Sequence, residues 1–328
     1  MRQYHLAAAM LLAVILSGCG GGGAGDQSPK IKFASQVSFG DSLSDVGTYK
    51  VGSIAAAGGG QFTINGVGKN WIELMAAQLG LPAPCAAVKG GYGSAAQPQP
   101  GCYGYAQGGA RVANQPGIGY TGTIAGALTY PVAQQVANHG SFSGNEIVFV
   151  LAGANDIFYE ATVNAAAPAT AVANVATAAG DLVTNINTII SSGARYVVVV
   201  NVPDIANTPM AISQGATAQA FFDTLVTTFN SALKTGLANN ANVLLVDAYT
   251  INHDQILNPT AYGLTNVTST ACNTAILPGN SSLFCTAGTL NSGTVDHYLF
   301  ADGVHPTPYG YLLLARLVSK EMLVKGWL

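Results

Sequence analysis

Charged side chains are scarce in this chain of 328 residues, at 8% of the total, whereas globular proteins ordinarily have about a quarter. The formal net charge is −3 and there is no run of Lys or Arg, so nothing in the charge favours nucleic acid as a partner. Hydrophobic residues make up 49%, enough for a substantial core. The surface must then be covered by Asn, Gln, Ser, Thr and Gly, which is typical of neutral, hydroxyl-rich secreted proteins.

Long apolar runs are missing beyond the start of the chain. The one such run, Leu6–Leu16, follows Arg2 and is too short to span a bilayer as a mature helix, which indicates a targeting segment. It closes with Leu16-Ser17-Gly18-Cys19, which resembles the lipobox of bacterial lipoproteins. The resemblance implies cleavage before Cys19, which becomes the lipid-bearing N-terminus. The alternative is an ordinary secretory signal that happens to contain a cysteine.

This interpretation divides the chain into three parts. Residues 1–18 form the signal peptide, residues 19–30 a lipidated cysteine with a flexible glycine-rich tether, and residues 31–328 the folded domain. We expect an exported protein, held as an outer-membrane lipoprotein on the periplasmic or cell-surface side, or otherwise secreted. The membrane is then a partner through the N-terminal lipid anchor alone. The sequence does not specify an oligomeric state.

Cys-x-x-Cys pairs are absent, which argues against a zinc site. If Cys19 carries lipid, an even number of cysteines remains for disulfide bonds in an exported protein, namely Cys85, Cys102, Cys272 and Cys285. Pairing of nearest neighbours would close two loops rich in Gly, Ser and Asn. Each closure would contribute roughly 3 kcal/mol through the entropy of the unfolded loop. Two other pairings remain open.

Histidine is also scarce, with five in the chain. His5 lies in the targeting segment, and His139 and His253 lie in polar stretches that favour surface positions. His297 is preceded by an aspartate, but adjacent side chains point apart on an extended segment, so this pair is a weak candidate. The candidate general base is therefore His305.

His305 follows Asp302 by three residues, across Gly303 and just before Pro306. On a tight loop this spacing lets the Asp302 carboxylate meet one ring nitrogen while the other faces a serine. A Ser-His-Asp triad requires this arrangement. The alternative is a loop histidine with an aspartate cap.

Ser42 is the candidate nucleophile. It follows a β-prone run, Ser35–Ser38, and Gly40 permits a sharp turn that would present the serine hydroxyl at the carboxyl edge of a sheet. The alternative is a helix cap formed by Ser42 or by Ser44.

Short, nearly continuous aliphatic runs alternate with segments of helical periodicity. Beside the opening run, strands are predicted at Glu146–Leu151, Tyr196–Val202 and Asn242–Asp247, and Tyr103–Val112 is predicted to be a short strand that enters a glycine turn. Helices are predicted at Asn70–Leu79, Ala171–Ser191, Ala218–Leu237 and Pro308–Val324. The alternation predicts one α/β domain in which a parallel sheet carries helices on both faces, whereas Ala86–Gly101 is predicted to be a loop.

Ligands of such sheets bind beyond the carboxyl ends of the strands, and Ser42, Gly109 and Asn155 all follow predicted strand ends or turns there. Three donors could hold the oxyanion of an ester's tetrahedral intermediate: the backbone N–H groups of Ser42 and Gly109 and the side-chain amide of Asn155. The alternatives are a plain turn at Gly109 and a turn residue at Asn155.

Four segments, taken in order, resemble the sequence blocks of the GDSL lipases and esterases, the SGNH hydrolases. They are Phe39–Asp45, Tyr105–Ala110, Gly153–Asp156 and Asp302–Thr307. The resemblance implies that Ser42 is the nucleophile, that Gly109 and Asn155 complete the oxyanion hole, and that Asp302 and His305 complete the triad. Any single block is a weak indication, but four in order are a strong one.

The resemblance also implies a three-layer α/β/α sandwich with a central parallel β-sheet, as in SGNH-hydrolase and flavodoxin-like folds. It implies an open site that accepts many acyl esters of small molecules or lipids, with no metal and no cofactor. Gly104 and Thr48 stand where many relatives have Asn, which bears on substrate and local packing more than on hydrolysis.

Two other functions are weighed against a carboxylic ester hydrolase. A phospholipase or lipid acyltransferase would use the same site with a different substrate or acceptor. A catalytically silent surface module that binds glycans or lipids would be expected to lack at least one of Ser42, Asn155, Asp302 and His305, and all four are present.

Overall fold

The computed structural model describes residues 31–118 and 129–328, so the predicted signal peptide, Cys19 and the tether lie outside the described residues. The strands in these ranges are β1 (Ser35–Gly40), β2 (Val88–Gly91), β3 (Ser94–Pro98), β4 (Glu146–Leu151), β5 (Tyr196–Val200), β6 (Val243–Val246), β7 (Asn266–Thr270) and β8 (Tyr298–Phe300). The α-helices are α1 (Gly52–Ala56), α2 (Trp71–Gln78), α3 (Val132–His139), α4 (Ala154–Val163), α5 (Pro168–Ser191), α6 (Pro209–Ser213), α7 (Ala216–Gly236), α8 (Ala248–Leu257) and α9 (Pro308–Lys325). None of the helices in the described part of the chain is both long and apolar enough to cross a membrane.

Four strands form the central sheet in the order β1-β4-β5-β6, and each neighbouring pair is parallel. Ser38, Phe149, Val198 and Leu244 lie side by side across it. Because the four strands run in the same direction, their carboxyl ends meet at one edge. The segments that follow β1 and β4 therefore begin close together, although more than a hundred residues separate them in the chain.

Alternate side chains of each central strand enter separate cores on the two faces of the sheet. In β4, Val148 and Val150 pack with residues of α3, α4, α5 and α7. Ile147, Phe149 and Leu151 point to the opposite face and pack with residues of α2 and α9. Burial on both faces explains why the strand is apolar at nearly every position. The predicted parallel sheet with helices on both faces, a three-layer α/β/α sandwich, is confirmed.

The predicted strand at Tyr103–Val112 is wrong. The segment is extended, but the described residues form no regular strand there, and a single bridge pairs Gly104 with Ser38 of the central sheet. Three backbone hydrogen bonds, of 3.1, 2.7 and 3.1 Å, hold Tyr103–Gln107 along Ser38–Gly40 before the chain turns away. The turn comes too soon for a regular strand, yet the segment still delivers the glycine turn to the same edge of the sheet.

The segment predicted to be a loop, Ala86–Gly101, contains the antiparallel hairpin of β2 and β3. A two-residue turn, Tyr92-Gly93, joins the strands, and both residues have positive φ, at 51° and 86°. These are the backbone angles of the tight hairpin turn that matches strand twist. The strands are short and rich in Gly, Ala and Gln, so no alternation of apolar and polar residues marks them in the sequence.

Two disulfide bonds join Cys85 to Cys102 and Cys272 to Cys285, which is the nearest-neighbour pairing. The first closes a separation of 17 residues around the β2–β3 hairpin. The second closes a separation of 13 residues around a run of short 3₁₀ helices. Each crosslink limits the freedom of the unfolded chain within the loop that it closes.

Candidate active site

Ser42 lies two residues beyond β1, in a turn that glycine makes possible. Gly40 has φ of 141°, and a Cβ atom there would lie 1.9 Å from the Leu151 carbonyl oxygen, so no side chain fits. Asp41 Oδ1 accepts a hydrogen bond of 3.0 Å from the Leu43 N–H and fixes the turn. No helix begins here, since the next one is α1, and the helix-cap alternative is therefore wrong.

Ser44 serves a different purpose from Ser42. Its side chain is fully buried, and its Oγ accepts a hydrogen bond of 3.2 Å from the indole N–H of Trp71. Ser42, in contrast, is 9% exposed and lines the cavity at the edge of the sheet. Of the two serines, only Ser42 is placed to meet a ligand in that cavity.

Asp302 and His305 occupy one closed loop between β8 and α9. The Ala301 N–H donates to the His305 carbonyl oxygen at 2.7 Å, which closes the loop. Asp302 Oδ1 accepts from the backbone N–H groups of Val304 at 2.9 Å and His305 at 2.8 Å. The same carboxylate lies 2.9 and 2.8 Å from His305 Nδ1 through its two oxygens. The loop therefore fixes acid and imidazole relative to each other.

The Asp302 carboxylate is ionised over the whole neutral range. Burial would by itself raise the pKa of this group, but the charge and hydrogen bond of His305 hold the pKa well below its usual range. The Ser282 N–H adds a hydrogen bond of 2.6 Å to Oδ2. The carboxylate therefore faces His305 Nδ1 as an acceptor, which favours the tautomer that carries its proton on Nδ1.

The other ring nitrogen of His305 faces Ser42. His305 Nε2 lies 2.9 Å from Ser42 Oγ, which is hydrogen-bond distance. The ring of Phe62 packs against the imidazole with 4.8 Å between centroids, and Thr63 Oγ1 donates to the Pro306 carbonyl at 3.0 Å. The structure thus brings Ser42, His305 and Asp302 together in one hydrogen-bonded row.

Gly109 occupies a turn in which only glycine fits. Its φ is 81°, and a Cβ atom would lie 2.3 Å from the Ile118 carbonyl oxygen. The Gly109 carbonyl accepts from the Ile118 N–H at 2.8 Å, while the Gly109 and Ser42 N–H groups donate to no residue within 31–118 and 129–328. Gly109 lines the same cavity as Ser42. Among the described residues, neither N–H group therefore has an acceptor that would compete with a ligand.

Asn155 lies in the first turn of α4, directly beyond β4. Gly153 has φ of 116°, and a Cβ atom there would lie 2.2 Å from the Phe229 ring. Asn155 Nδ2 donates to the Ala110 carbonyl at 2.8 Å and lines the cavity. An amide nitrogen has two N–H donors, so one remains for a ligand. The residue does more than form a turn, because its side chain links the third block to the second.

A buried ion pair, which the sequence did not reveal as such, supports Gly109 and Asn155. The Arg111 Nε donates to Asp156 Oδ1 at 3.2 Å, and the Val112 N–H donates to Asp156 Oδ2 at 2.9 Å. The guanidinium lies over the Tyr159 ring at 3.8 Å. Burial raises the pKa of Asp156 to about 6, while the Val112 N–H and Arg111 oppose the rise. The sequence offered one signal: Asp156 directly follows the oxyanion candidate Asn155, and Arg111 lies two residues after the candidate Gly109.

Asp45 also supports the turn that carries Gly109, through hydrogen bonds from backbone N–H groups. Its Oδ1 accepts from the N–H groups of Gly47 at 2.8 Å and Thr48 at 2.7 Å, and its Oδ2 accepts from Gly108 N–H at 2.9 Å. Burial raises the pKa of Asp45 to about 6. Asp41 is also buried, which raises its pKa to about 7, and its Oδ2 has no partner among the described residues. Neither carboxylate contacts His305.

Three further histidines have other partners. His253 Nδ1 lies 2.8 Å from the buried Asp204 carboxylate, with its side chain 43% exposed. His297 stacks on Tyr309 with 4.1 Å between centroids. The surface position predicted for His139 is wrong, because the ring is half-buried, with 4.3 Å between its centroid and that of Phe142.

The cavity around Ser42 has a volume of 1380 Å³. Ser42, Gly109, Asn155 and His305 line it, together with many apolar and aromatic side chains. Ligand pockets usually measure about 300–1,000 Å³, so this one accepts a large ligand. In residues 31–118 and 129–328, no group of three or more His, Cys, Asp or Glu side chains is placed to hold a metal ion.

Comparison with curated proteins finds partial relatives in plants. The chain is 32% identical over 85 residues to the anther-specific proline-rich protein APG of Arabidopsis thaliana, which covers 26% of this chain and 16% of that protein. It is 28% identical over 141 residues to the protein of the same name from Brassica napus, which covers 40% of this chain and 30% of that protein. The matched segments thus span less than a third of either relative.

Comparison with solved structures finds distant likenesses over most of the chain. A catalytic mutant of an acetylxylan esterase from Geobacillus stearothermophilus matches with a TM-score of 0.45 at 12% identity, covering 88% of this chain and 93% of that one. An alpha/beta hydrolase enzyme from the metagenome of Lake Arreo, Spain, matches with a TM-score of 0.42 at 13% identity, covering 88% and 94%.

One family model, described as GDSL-like lipase/acylhydrolase, matches residues 37–318. These bounds contain the four segments that approach the cavity and all of Ser42, Gly109, Asn155, Asp302 and His305. The matched stretch is well over half of the 328 residues. The chain therefore belongs to the GDSL-like lipase/acylhydrolase family.

Proposed function

We propose that this protein is a serine esterase that hydrolyses carboxylic esters with Ser42, His305 and Asp302. One observation carries the proposal: His305 lies 2.9 Å from Ser42 Oγ through Nε2 and 2.8 Å from Asp302 through Nδ1. A serine hydroxyl is a weak nucleophile until a base takes its proton, and the base acts efficiently only when it is oriented. In this arrangement His305 is the base next to Ser42, and Asp302 is the group that orients His305.

In the first half of the reaction, Ser42 Oγ attacks the ester carbonyl carbon while its proton passes to His305 Nε2. Asp302 keeps the Nδ1 proton in place and stabilises the imidazolium that forms. The imidazolium then gives the proton to the alcohol as it leaves, and an acyl group remains on Ser42. In the second half, water attacks the acyl group with the same base, and the carboxylic acid is released.

Three donors stabilise the negative oxygen of both tetrahedral intermediates. They are the backbone N–H groups of Ser42 and Gly109 and the remaining side-chain N–H of Asn155. Because these donors are fixed before the reaction, they need not reorganise when the charge develops. Loss of one such donor typically raises the barrier by roughly 3–4 kcal/mol.

The decisive experiment is labelling with a fluorophosphonate probe, which reacts with activated serines. We expect the wild-type protein to be labelled and the Ser42→Ala variant to be unlabelled. Ser44→Ala is the matched control, because Ser44 lies two residues away but bonds to Trp71 instead of His305. Full hydrolysis of p-nitrophenyl acetate by Ser42→Ala, or loss of labelling in Ser44→Ala alone, would overturn the proposal.

A phospholipase or lipid acyltransferase is the second candidate, and the volume and apolar walls of the cavity favour it. A lipid acyl chain would fit beside a second ligand, and an alcohol held in the cavity would compete with water for the acyl group. Supplying phospholipid with and without a long-chain alcohol distinguishes the outcomes, since only an acyltransferase gives the new ester in place of free fatty acid.

Export and lipid attachment at Cys19 are a further part of the proposal. The lipobox-like residues Leu16–Cys19 support it, as does the start of the family match at residue 37, after the tether. Residues 31–328 are then the catalytic domain. Growth of an expressing bacterium with an alkyne-bearing fatty acid should label the wild-type protein in the membrane fraction. The Cys19→Ala variant should carry no label, whereas a Cys19→Ala variant labelled like the wild type would exclude lipid at this position.

A further inference from the structure

The two disulfide-closed loops each contribute one aromatic side chain to the wall of the cavity. Tyr92 lies at the tip of the hairpin enclosed by Cys85–Cys102, and Phe284 lies within the loop enclosed by Cys272–Cys285. The two rings meet edge to face, with 5.8 Å between centroids and 85° between planes. Both are half-buried and line the cavity.

A continuous row of rings connects this pair to His305. Tyr92 meets Tyr49 edge to face at 5.5 Å, and Tyr49 meets Phe62 in the same way at 6.1 Å. Phe62 packs on the His305 imidazole at 4.8 Å. All four aromatic residues line the cavity, but Tyr49 and Phe62 are buried, whereas Tyr92 and Phe284 are half-buried and keep more free surface.

The backbone conformation of Tyr92 indicates that this residue has a role at the ligand site. Its φ of 51° lies in the left-handed region, which bulky residues rarely adopt. Asn or Gly would form the same turn without this strain. A strained residue persists only where its surroundings hold it, and such residues concentrate at ligand sites. Here the strained residue carries an aromatic side chain that lines the cavity.

We infer that Tyr92 and Phe284 form a specificity wall for esters whose acyl or alcohol part carries an aromatic ring. The inference rests on the proposed esterase function of Ser42. Aromatic rings attract one another edge to face because the face is negative and the edge positive, and a saturated ring of equal size lacks this attraction. The two half-buried rings therefore favour an aromatic substrate over an aliphatic one of the same volume.

The test compares methyl 3-phenylpropanoate with methyl 3-cyclohexylpropanoate, and 2-phenylethyl acetate with 2-cyclohexylethyl acetate, using methyl acetate as the small reference. Hydrolysis is followed by pH-stat titration, since none of these esters has a coloured aromatic leaving group. In the wild type, kcat/KM for the phenyl member of at least one pair should exceed that for its cyclohexyl partner. In Tyr92→Leu and Phe284→Leu that preference should fall by roughly two- to tenfold, while methyl acetate changes less.

Tyr103→Leu is the matched control, because Tyr103 is an aromatic residue, 43% exposed, that does not line the cavity. It should keep the wild-type preference. Equal rates for phenyl and cyclohexyl esters in the wild type, or a preference that survives both leucine variants, would overturn the inference.

A binding measurement separates this inference from the proposed function. The Ser42→Ala variant is titrated by calorimetry with 4-phenyl-2-butanone and with its cyclohexyl analogue, neither of which needs to react. Tighter binding of the phenyl compound, lost on adding Tyr92→Leu, supports the wall even if the wild type hydrolyses no ester. Hydrolysis of methyl acetate together with equal binding of both ketones refutes the wall and leaves the esterase proposal standing.

Discussion

The two sides of Ser42 are held in place by different interactions. On one side, the side chains of Asp302 and His305 contact each other and then Ser42 directly. On the other side, the Ser42 and Gly109 backbone N–H groups face the cavity. Buried carboxylates bind the backbone of the residues around Gly109. Asp45 accepts from the Gly108 N–H, and Asp156 accepts from the Val112 N–H.

The difference shows in the pKa values of the carboxylates, although all of them are buried. The facing imidazole lowers the pKa of Asp302, whereas burial raises the pKa of Asp45 and Asp156 to about 6. Asp302 acts on a group whose charge changes during the proposed reaction. Asp45 and Asp156 instead fix the positions of uncharged backbone N–H groups. The same substitution, Asp to Asn, should therefore have very different consequences on the two sides.

The largest effect is expected for Asp302→Asn. An asparagine presents an N–H donor to one side of His305 and favours the wrong imidazole tautomer, so kcat should fall by about 10⁴-fold. Stopped-flow or steady-state hydrolysis of p-nitrophenyl acetate measures this, with circular dichroism as the control for folding. A fall of less than tenfold in a folded variant would mean that Asp302 does not orient His305 during the reaction.

The next largest effect is expected for Asn155→Ala. It removes one proposed oxyanion donor and the hydrogen bond to the Ala110 carbonyl, so kcat should fall by about 10²–10³-fold. KM should change little, because the lost interaction strengthens only as the oxyanion forms. Kinetics with a short-chain ester measure both values. A rise in KM with unchanged kcat would assign Asn155 to ground-state binding instead.

Asp41→Asn should change the pH dependence of stability. The pKa of Asp41 is raised from 3.8 to about 7. Between these pH values the Asp41 carboxyl group is therefore ionised in the unfolded chain and neutral in the folded protein. The unfolded state then binds fewer protons, and the free energy of unfolding falls as pH rises through this window. The variant lacks this contribution, so its stability relative to the wild type should rise by about 4 kcal/mol from pH 4 to pH 8.

Urea unfolding of both proteins at several pH values between 4 and 8 measures this change. Asp45 and Asp156 titrate in both proteins, so the difference between the curves isolates Asp41. An unchanged difference across the range would show that Asp41 stays ionised when buried.

The smallest effect is expected for Asp45→Asn. The amide oxygen can still accept from Gly47 and Thr48, but an N–H donor would replace the oxygen that accepts from Gly108. The Gly108–Gly109 turn should shift, and kcat should fall by about tenfold, less than loss of a whole oxyanion donor. A fall in kcat as large as that of Asp302→Asn would show that the carboxylates on the two sides of Ser42 do not differ in this way.

The central sheet could be predicted because each of its strands has a recognisable local pattern of apolar residues. A strand buried on both faces is apolar throughout, and Glu146–Leu151 has the same bounds in the sequence prediction and in the structure. The β2–β3 hairpin could not, since its residues carry no alternating pattern and its register depends on a strained turn at Tyr92. The helix α4 was missed because its first turn, Ala154–Asp156, is indistinguishable from a loop in sequence.

For the site, the sequence predicted candidate residues but not their distances. The hydrogen bond from Ser42 to His305 spans 263 residues, and nothing short of the folded sheet determines its length. The supporting residues were harder still. Arg111 and Asp156 look like ordinary charged residues until burial places them against each other, and Asp45 looks like a turn residue until Gly108 is seen to donate to it.

The closed loop that carries Asp302 and His305 has a consequence for how this protein responds to heat. Its acid and imidazole are linked within four residues, and the Ala301 N–H ties the loop to itself, so thermal motion moves the pair as one rigid body. The bond to Ser42, in contrast, joins two segments that only the packed core keeps in register. Warming should therefore separate Ser42 from an intact Asp302–His305 pair, and the proposed esterase activity should disappear before that loop unfolds.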